Sequence, residues 1–271
     1  MRIFVLFVFH LLICSLSAQN YPNLEQSSLI NPEKYNQILK PGLEYSYSYR
    51  IFNNKTQQRF YFKIGTEEEW DLVEIKDSVD LIEKLNMLVI KAKAFKKTNK
   101  RQTEIIYSFT PDWHKFSSTG GIENKNNFWL HPPRTDYFKI LEICPFPYVK
   151  FPLFIGKEWN DENKVSSTWS DLRWLEWTGN LNLKFDYKIV GKKQIKTKLQ
   201  IYDCWVIEGS TISQENGSKL VSYFNEKAGF VKMKYKTINN LTIEFELDNI
   251  KKFNSEIQLE QYLTEKMNYW R

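Results

Sequence analysis

His114 and His131 are the side chains outside the leader best suited by type to acid–base work in this 271-residue chain. His114 stands in Pro111-Asp-Trp-His114, a turn-like stretch, and His131 precedes Pro132 and Pro133. A hydrolase would need one imidazole within hydrogen-bond reach of a carboxylate and of a Ser or Cys in a cleft. No nucleophile neighbours either histidine in the sequence. Glu158, Asp161 and Glu162 form a knot of carboxylates that matches a glycosidase acid pair in type, but the same residues suit an exposed turn, which is the preferred reading. The chain has no Gly-x-Ser-x-Gly elbow, phosphate loop or metallopeptidase helix, and neither histidine stands at ligand spacing from a cysteine. No catalytic residue, metal or cofactor is therefore assigned, and an enzyme is disfavoured without being ruled out.

Binding chemistry is better represented. Between 128 and 159 the rings of Trp129, Phe146, Tyr148, Phe151 and Phe154 are interleaved with Pro132, Pro133, Pro145, Pro147 and Pro152. Proline lacks a backbone donor and breaks central sheet ladders, so this segment is expected to be irregular or at an edge. It is predicted to form a flap over one mouth of a sheet, burying its own rings or, as the alternative, contacting an apolar ligand. Trp169, Trp174 and Trp177 offer a stacking platform for sugars or a protein partner, but residues three apart cannot share one face of a regular strand, so core packing is the preferred reading. The candidate ligand-binding residues are Trp129, Phe146, Tyr148, Phe151, Phe154, Trp174 and Trp177.

The first eighteen residues indicate where this chemistry takes place. Arg2, the apolar run Ile3–Ile13 and Ser15-Leu-Ser-Ala18 have the three parts of a secretory leader, with cleavage expected near Ala18. A secreted or periplasmic protein follows, and nucleic acid is not an expected partner. The chain carries 38 Lys+Arg against 32 Asp+Glu, and its lysines are mostly dispersed among acids and apolar residues. Phe95–Arg101 is the one basic cluster and suits a hairpin tip in water. Cys144 and Cys204 remain after cleavage. A bridge between them would close a loop of about sixty residues and contribute roughly 3–4 kcal/mol, whereas two buried free thiols would suit the apolar surroundings of Cys204 equally well.

The elements that must position these residues are mostly strands. In Leu181–Ile189 every odd residue is apolar and every even one polar, the pattern of a strand with one buried face. Similar runs at 43–51, 60–64, 87–95, 103–109, 194–202, 204–211, 219–224, 230–237 and 241–249 lie at hairpin spacing, which predicts an antiparallel sheet. Lys232, Lys234 and Lys236 are expected opposite Asp248, Glu246 and Glu244, around a loop over Asn239–Leu241. Thr66–Glu69 offers a capping box, and a short helix is predicted over Asp77–Asn86, although Trp70–Ile75 also suits a strand. Ser255 should cap a helix over 255–267 that packs on the rim of the sheet. After the leader, residues 19–271 are expected to form a single domain: mainly β, a curved antiparallel sheet or open half-barrel with one or two short helices.

Leu183–Gly191, Cys204–Glu208, Tyr223–Val231 and the charged hairpin resemble exported β-sheet families of Gram-negative envelopes, of the Bacteroidota type, that share the fold of periplasmic lipoprotein carriers. The resemblance implies a curved sheet wrapped around a helix or loop, with a concave apolar face able to hold an acyl chain. It brings no catalytic residues with it. The expected function is thus an exported binding protein for an apolar ligand or lipid, or an envelope component, with surface recognition of carbohydrate or protein as the alternative. Its oligomeric state is left open.

Overall fold

The computed structural model describes residues 34–64, 70–74, 81–91, 99, 101–111, 115–212 and 217–268. The leader, the capping box at Thr66–Glu69, His114 and most of the basic cluster lie outside the described residues. Among the described residues there are fourteen strands: β1 (Leu43–Asn53), β2 (Arg59–Ile64), β3 (Trp70–Val73), β4 (Lys84–Ile90), β5 (Thr103–Thr110), β6 (Ser117–Glu123), β7 (Asn127–Leu130), β8 (Tyr148–Lys150), β9 (Glu158–Ser166), β10 (Asn180–Lys196), β11 (Ile201–Thr211), β12 (Lys219–Asn225), β13 (Gly229–Lys236) and β14 (Leu241–Lys252). One α-helix follows, α1 (Glu256–Asn268). Ser255 caps it as expected, accepting the Gln258 N–H at 3.2 Å.

The strands form one antiparallel sheet in the order β8-β7-β6-β5-β4-β1-β14-β13-β12-β11-β10-β9, with β2 and β3 branching from β1. It is two meanders joined along β1 and β14, which pair over their whole lengths from Leu43↔Lys252 to Asn53↔Leu241. The sheet curls until its two terminal strands come together. The rings of Tyr148 on β8 and Trp159 on β9 are 5.7 Å apart, yet no strand pairing joins these two elements. The result is a barrel closed except for one seam.

Alternation places the core as the sequence predicts. On β10, Leu183, Phe185, Tyr187 and Ile189 are buried while Lys184, Asp186 and Lys188 are exposed. The flap fills the space these side chains enclose. After Leu130 the chain runs extended through the prolines, turns at Thr135 into a 3₁₀ segment (Asp136–Ile143), and returns through Pro145 and Pro147 into β8. Phe138 from this segment is fully buried, stacked within 5° of parallel on Phe109 at 5.7 Å and edge-on to Phe62 at 4.9 Å. Gly209 on β11 makes room for the flap, since a Cβ there would lie 2.8 Å from Tyr187 Cε1 and 3.0 Å from Pro145 Cβ.

Three expectations are corrected. Lys84–Asn86 open strand β4 rather than close a helix, because Leu85, Met87 and Val89 belong to the core of the sheet; residues 77–80 of that prediction lie outside the described residues. In the last hairpin Lys232 faces Glu246, Lys234 faces Glu244 and Lys236 faces Thr242, two residues from the predicted register. The face assignments survive because the shift is even. The cause is the turn: Thr237 N–H donates to Leu241 O, Asn240 takes a left-handed φ of 62°, and Leu241 is buried in β14 rather than spent in the loop. Finally, Cys144 and Cys204 are both free and buried. The Cys144 thiol is turned toward Ile140 O and that of Cys204 toward Tyr202 O, so neither addresses the other.

Truncation of Phe138 tests whether the flap is the core of the barrel. Phe138→Ala is expected to lower unfolding free energy by about 3–5 kcal/mol in urea titration, whereas Leu172→Ala, at 84% exposure, should change it by less than about 0.5 kcal/mol.

Candidate functional site

The candidate ring residues do not converge on one surface. Trp129, Phe146 and Tyr148 are buried, Trp129 and Phe146 packing at 5.8 Å while Tyr148 meets Trp159 and Tyr187. Trp174 is 8% exposed, edge-on to Tyr137 at 5.5 Å with the Arg173 guanidinium 5.1 Å from its ring centre. Trp177 is half-buried and donates Nε1–H to Val165 O at 3.3 Å. These two indoles brace the connection between β9 and β10. Phe151 is half-buried against Phe224, and Phe154 alone of the seven stands exposed, at 53%.

The carboxylate knot also comes apart. Glu158, Asp161 and Glu162 lie on strand β9 and not on a turn; Glu158 and Glu162 face water while Asp161 points into the barrel. Trp159, Asp161, Asn163 and Val165 form the inner face of β9. Asn163 Nδ2 donates to Glu142 O at 3.2 Å, linking that face to the 3₁₀ segment. Glu142 is fully buried, and its Oε1 lies 3.4 Å from His131 Nε2.

The tautomer of His131 follows from its partners. Nδ1 lies 2.9 Å from Pro132 O, which can only accept, so Nδ1 carries a proton. Nε2 lies 3.4 Å from Glu142 Oε1 and makes no hydrogen bond of its own. Burial pushes the imidazole pKa down to about 3, with the Arg134 guanidinium acting in the same direction. The ring is only 6% exposed. Burial also pushes the Cys144 thiol up to about 12, so it is not the thiolate a nucleophile needs. Among the described residues no group of His, Cys, Asp and Glu is placed to hold a metal ion.

Outside the barrel, Glu158, Asn160, Asp186, Lys188, Glu208 and Ser210 line a polar groove of about 490 Å³ over β9, β10 and β11. Its charges are largely answered from within: Lys188 Nζ lies 2.7 Å from Glu158 Oε1, and Asn160 Nδ2 donates to Asp186.

Among the exposed apolar side chains, which include Leu172, Leu199 and Ile201, two adjacent ones stand on the seam loop between β8 and β9. It leaves β8 after Lys150, anchors Phe151 and Leu153 on the core, and then presents Phe154 and Ile155 outward at 53% and 62% exposure. Gly156, at φ +90°, turns the chain back and donates to Ile189 O at 2.8 Å, which sets the tip beside the exposed Val190. Lys157 closes the loop, donating to Pro152 O at 3.0 Å with its ammonium 5.6 Å from the Phe154 ring centre. Two apolar side chains are held out of the core by a braced backbone. Of this group the sequence singled out Phe151 and Phe154. Ile155 went unnoticed, although an apolar pair followed directly by glycine is the local signature of such a tip.

No family model matches the chain, and no curated protein matches it. Solved structures that match include a candidate exported protein with a YmcC-like fold from Bacteroides fragilis NCTC 9343, at 9% identity and TM-score 0.39, covering 79% of this chain and 97% of that one. A second is a candidate lipoprotein from Parabacteroides distasonis ATCC 8503, at 9% identity and TM-score 0.40, covering 79% and 96%. A third is the hypothetical lipoprotein YmcC from Escherichia coli, at 10% identity and TM-score 0.35, covering 79% and 87%. At such identities no residue-level chemistry transfers.

Asp161 provides a test of the inner face by pH. Burial raises its carboxyl from 3.8 to about 7, against the opposing pull of the Glu162 N–H and Lys150. The folded state therefore holds this proton more tightly than the unfolded one, and the resulting stability, complete below about pH 4, is lost as pH rises through about 7. His131 acts in the opposite sense, its contribution falling away as pH drops from 6.5 toward 3. Subtracting the unfolding free energy of Asp161→Asn from that of wild type at each pH cancels the histidine. The difference should decline by up to ~1.4 kcal/mol per pH unit across the Asp161 window; a flat difference would contradict the inward placement.

Proposed function

We propose that this chain is an exported, non-catalytic protein of the cell envelope that binds the acyl region of lipid at its seam loop. The single observation carrying this reading is the outward presentation of Phe154 and Ile155 on a braced loop. The secretory leader supports the compartment, and the burial of His131 and the protonated thiol of Cys144 support a non-catalytic role. The concave face of the sheet is already covered by the chain's own rings, Phe138, Phe128 and Phe146 among them, which directs an apolar partner to the outside of the barrel. Surface recognition of sugars by Trp174 and Trp177 gains no support from their burial.

Native mass spectrometry of protein recovered from its own envelope fraction tests this. Lipid adducts are expected on the wild type and should be at least fivefold less abundant on Phe154→Ser/Ile155→Ser, a change outside the core that leaves the melting temperature near its original value. Adducts equally abundant on both proteins, or absent from both, would end this reading.

A further inference from the structure

The seam loop carries charge as well as apolar surface, and the two lie on the same side of the barrel. Lys150 ends β8 and Lys157 precedes β9, so they flank the Phe151–Gly156 segment at its two ends. The ammonium of Lys157 is held below its ordinary value by partial burial and by the nearby charge of Lys150, so like charges stand together here. Of the carboxylates near them, Glu158 is committed to Lys188 at 2.7 Å, while Asp161, on the inner face of β9, lies within electrostatic reach of Lys150. Phe154 and Ile155 therefore stand between two lysines at the entry and exit of one short loop.

An apolar tip flanked by ammonium groups matches the layering of a membrane surface, in which anionic headgroups lie just outside the acyl boundary. A water-soluble sugar would not use the apolar pair, and a free fatty acid would need a pocket where this site has a protrusion. We propose that the seam loop docks the protein on an anionic lipid bilayer, with Phe154 and Ile155 entering the acyl boundary and Lys150 and Lys157 meeting headgroup phosphates. This rests on the lipid-binding reading above and adds the partner's charge and form.

Co-sedimentation of the full chain with vesicles of phosphatidylcholine alone, or containing phosphatidylglycerol, separates the two claims. Binding to the anionic vesicles is expected to exceed binding to the neutral ones and to weaken at high salt. Each of Lys150→Gln and Lys157→Gln should weaken it about fivefold, from roughly 1 kcal/mol per lysine at such a surface. Glutamine keeps a donor at 157, so the loop brace is retained. Phe154→Ser/Ile155→Ser should abolish binding to both kinds of vesicle, and Leu172→Ser, at an exposed apolar site outside the seam loop, should leave it unchanged. Equal binding to neutral and anionic vesicles, unaltered in the lysine variants, would overturn the anionic docking while leaving the lipid reading intact. Loss of binding in Leu172→Ser, or no binding to either vesicle, would overturn the docking itself.

Discussion

A sheet curled this far has a concave apolar face with more area than its strands can cover by themselves, and the rest of this structure depends on what fills it. Here the filler is a piece of the same chain, the 3₁₀ segment and its flanking prolines, with Phe138 wedged among Phe109, Phe62 and Phe245. Prolines suit the task because they cross the barrel without offering N–H groups that would need partners inside. The same filling that stabilises the barrel covers its concave face with the chain's own rings, while at the seam Phe154 and Ile155 meet solvent.

Polar groups inside such a core must be satisfied locally. Asn163 reaches the backbone of the 3₁₀ segment, and Tyr187 donates to Phe146 O. These links tie β9 and β10 to the flap across a seam where no strand ladder forms. The seam is thus held by rings and side-chain hydrogen bonds, with the loop at its end closed by the Lys157 brace.

How far this was legible depended on what each pattern had to encode. Leu181–Ile189 and the lysines of β13 alternate cleanly, so strand, face and antiparallel partner followed from period two. Ser255 announced its helix. The register of the last hairpin slipped because φ at Asn240, not charge pairing, decides where the turn closes. Strand β9 was hidden: Trp159, Asp161, Asn163 and Val165 do alternate with Glu158, Asn160, Glu162 and Lys164, but the inner set includes a carboxylate and an amide, so hydropathy alone does not reveal it. The approach of His131 to Glu142 had no sequence signal, since it arises from the turn that the chain makes between them. Phe146 stands between two prolines and is buried, whereas Phe154, two residues after Pro152, is exposed; ring type and nearby proline do not separate them, and only the Ile155-Gly156 that follows Phe154 does.

The joining of the two meanders along β1 and β14 has a consequence for how the protein is made. Every other ladder of the main sheet joins strands that emerge close together, but β1 must wait for a partner some two hundred residues later in synthesis, a separation that slows folding. Until β14 appears, one edge of the first meander stays unsatisfied and its concave face is open to misassembly.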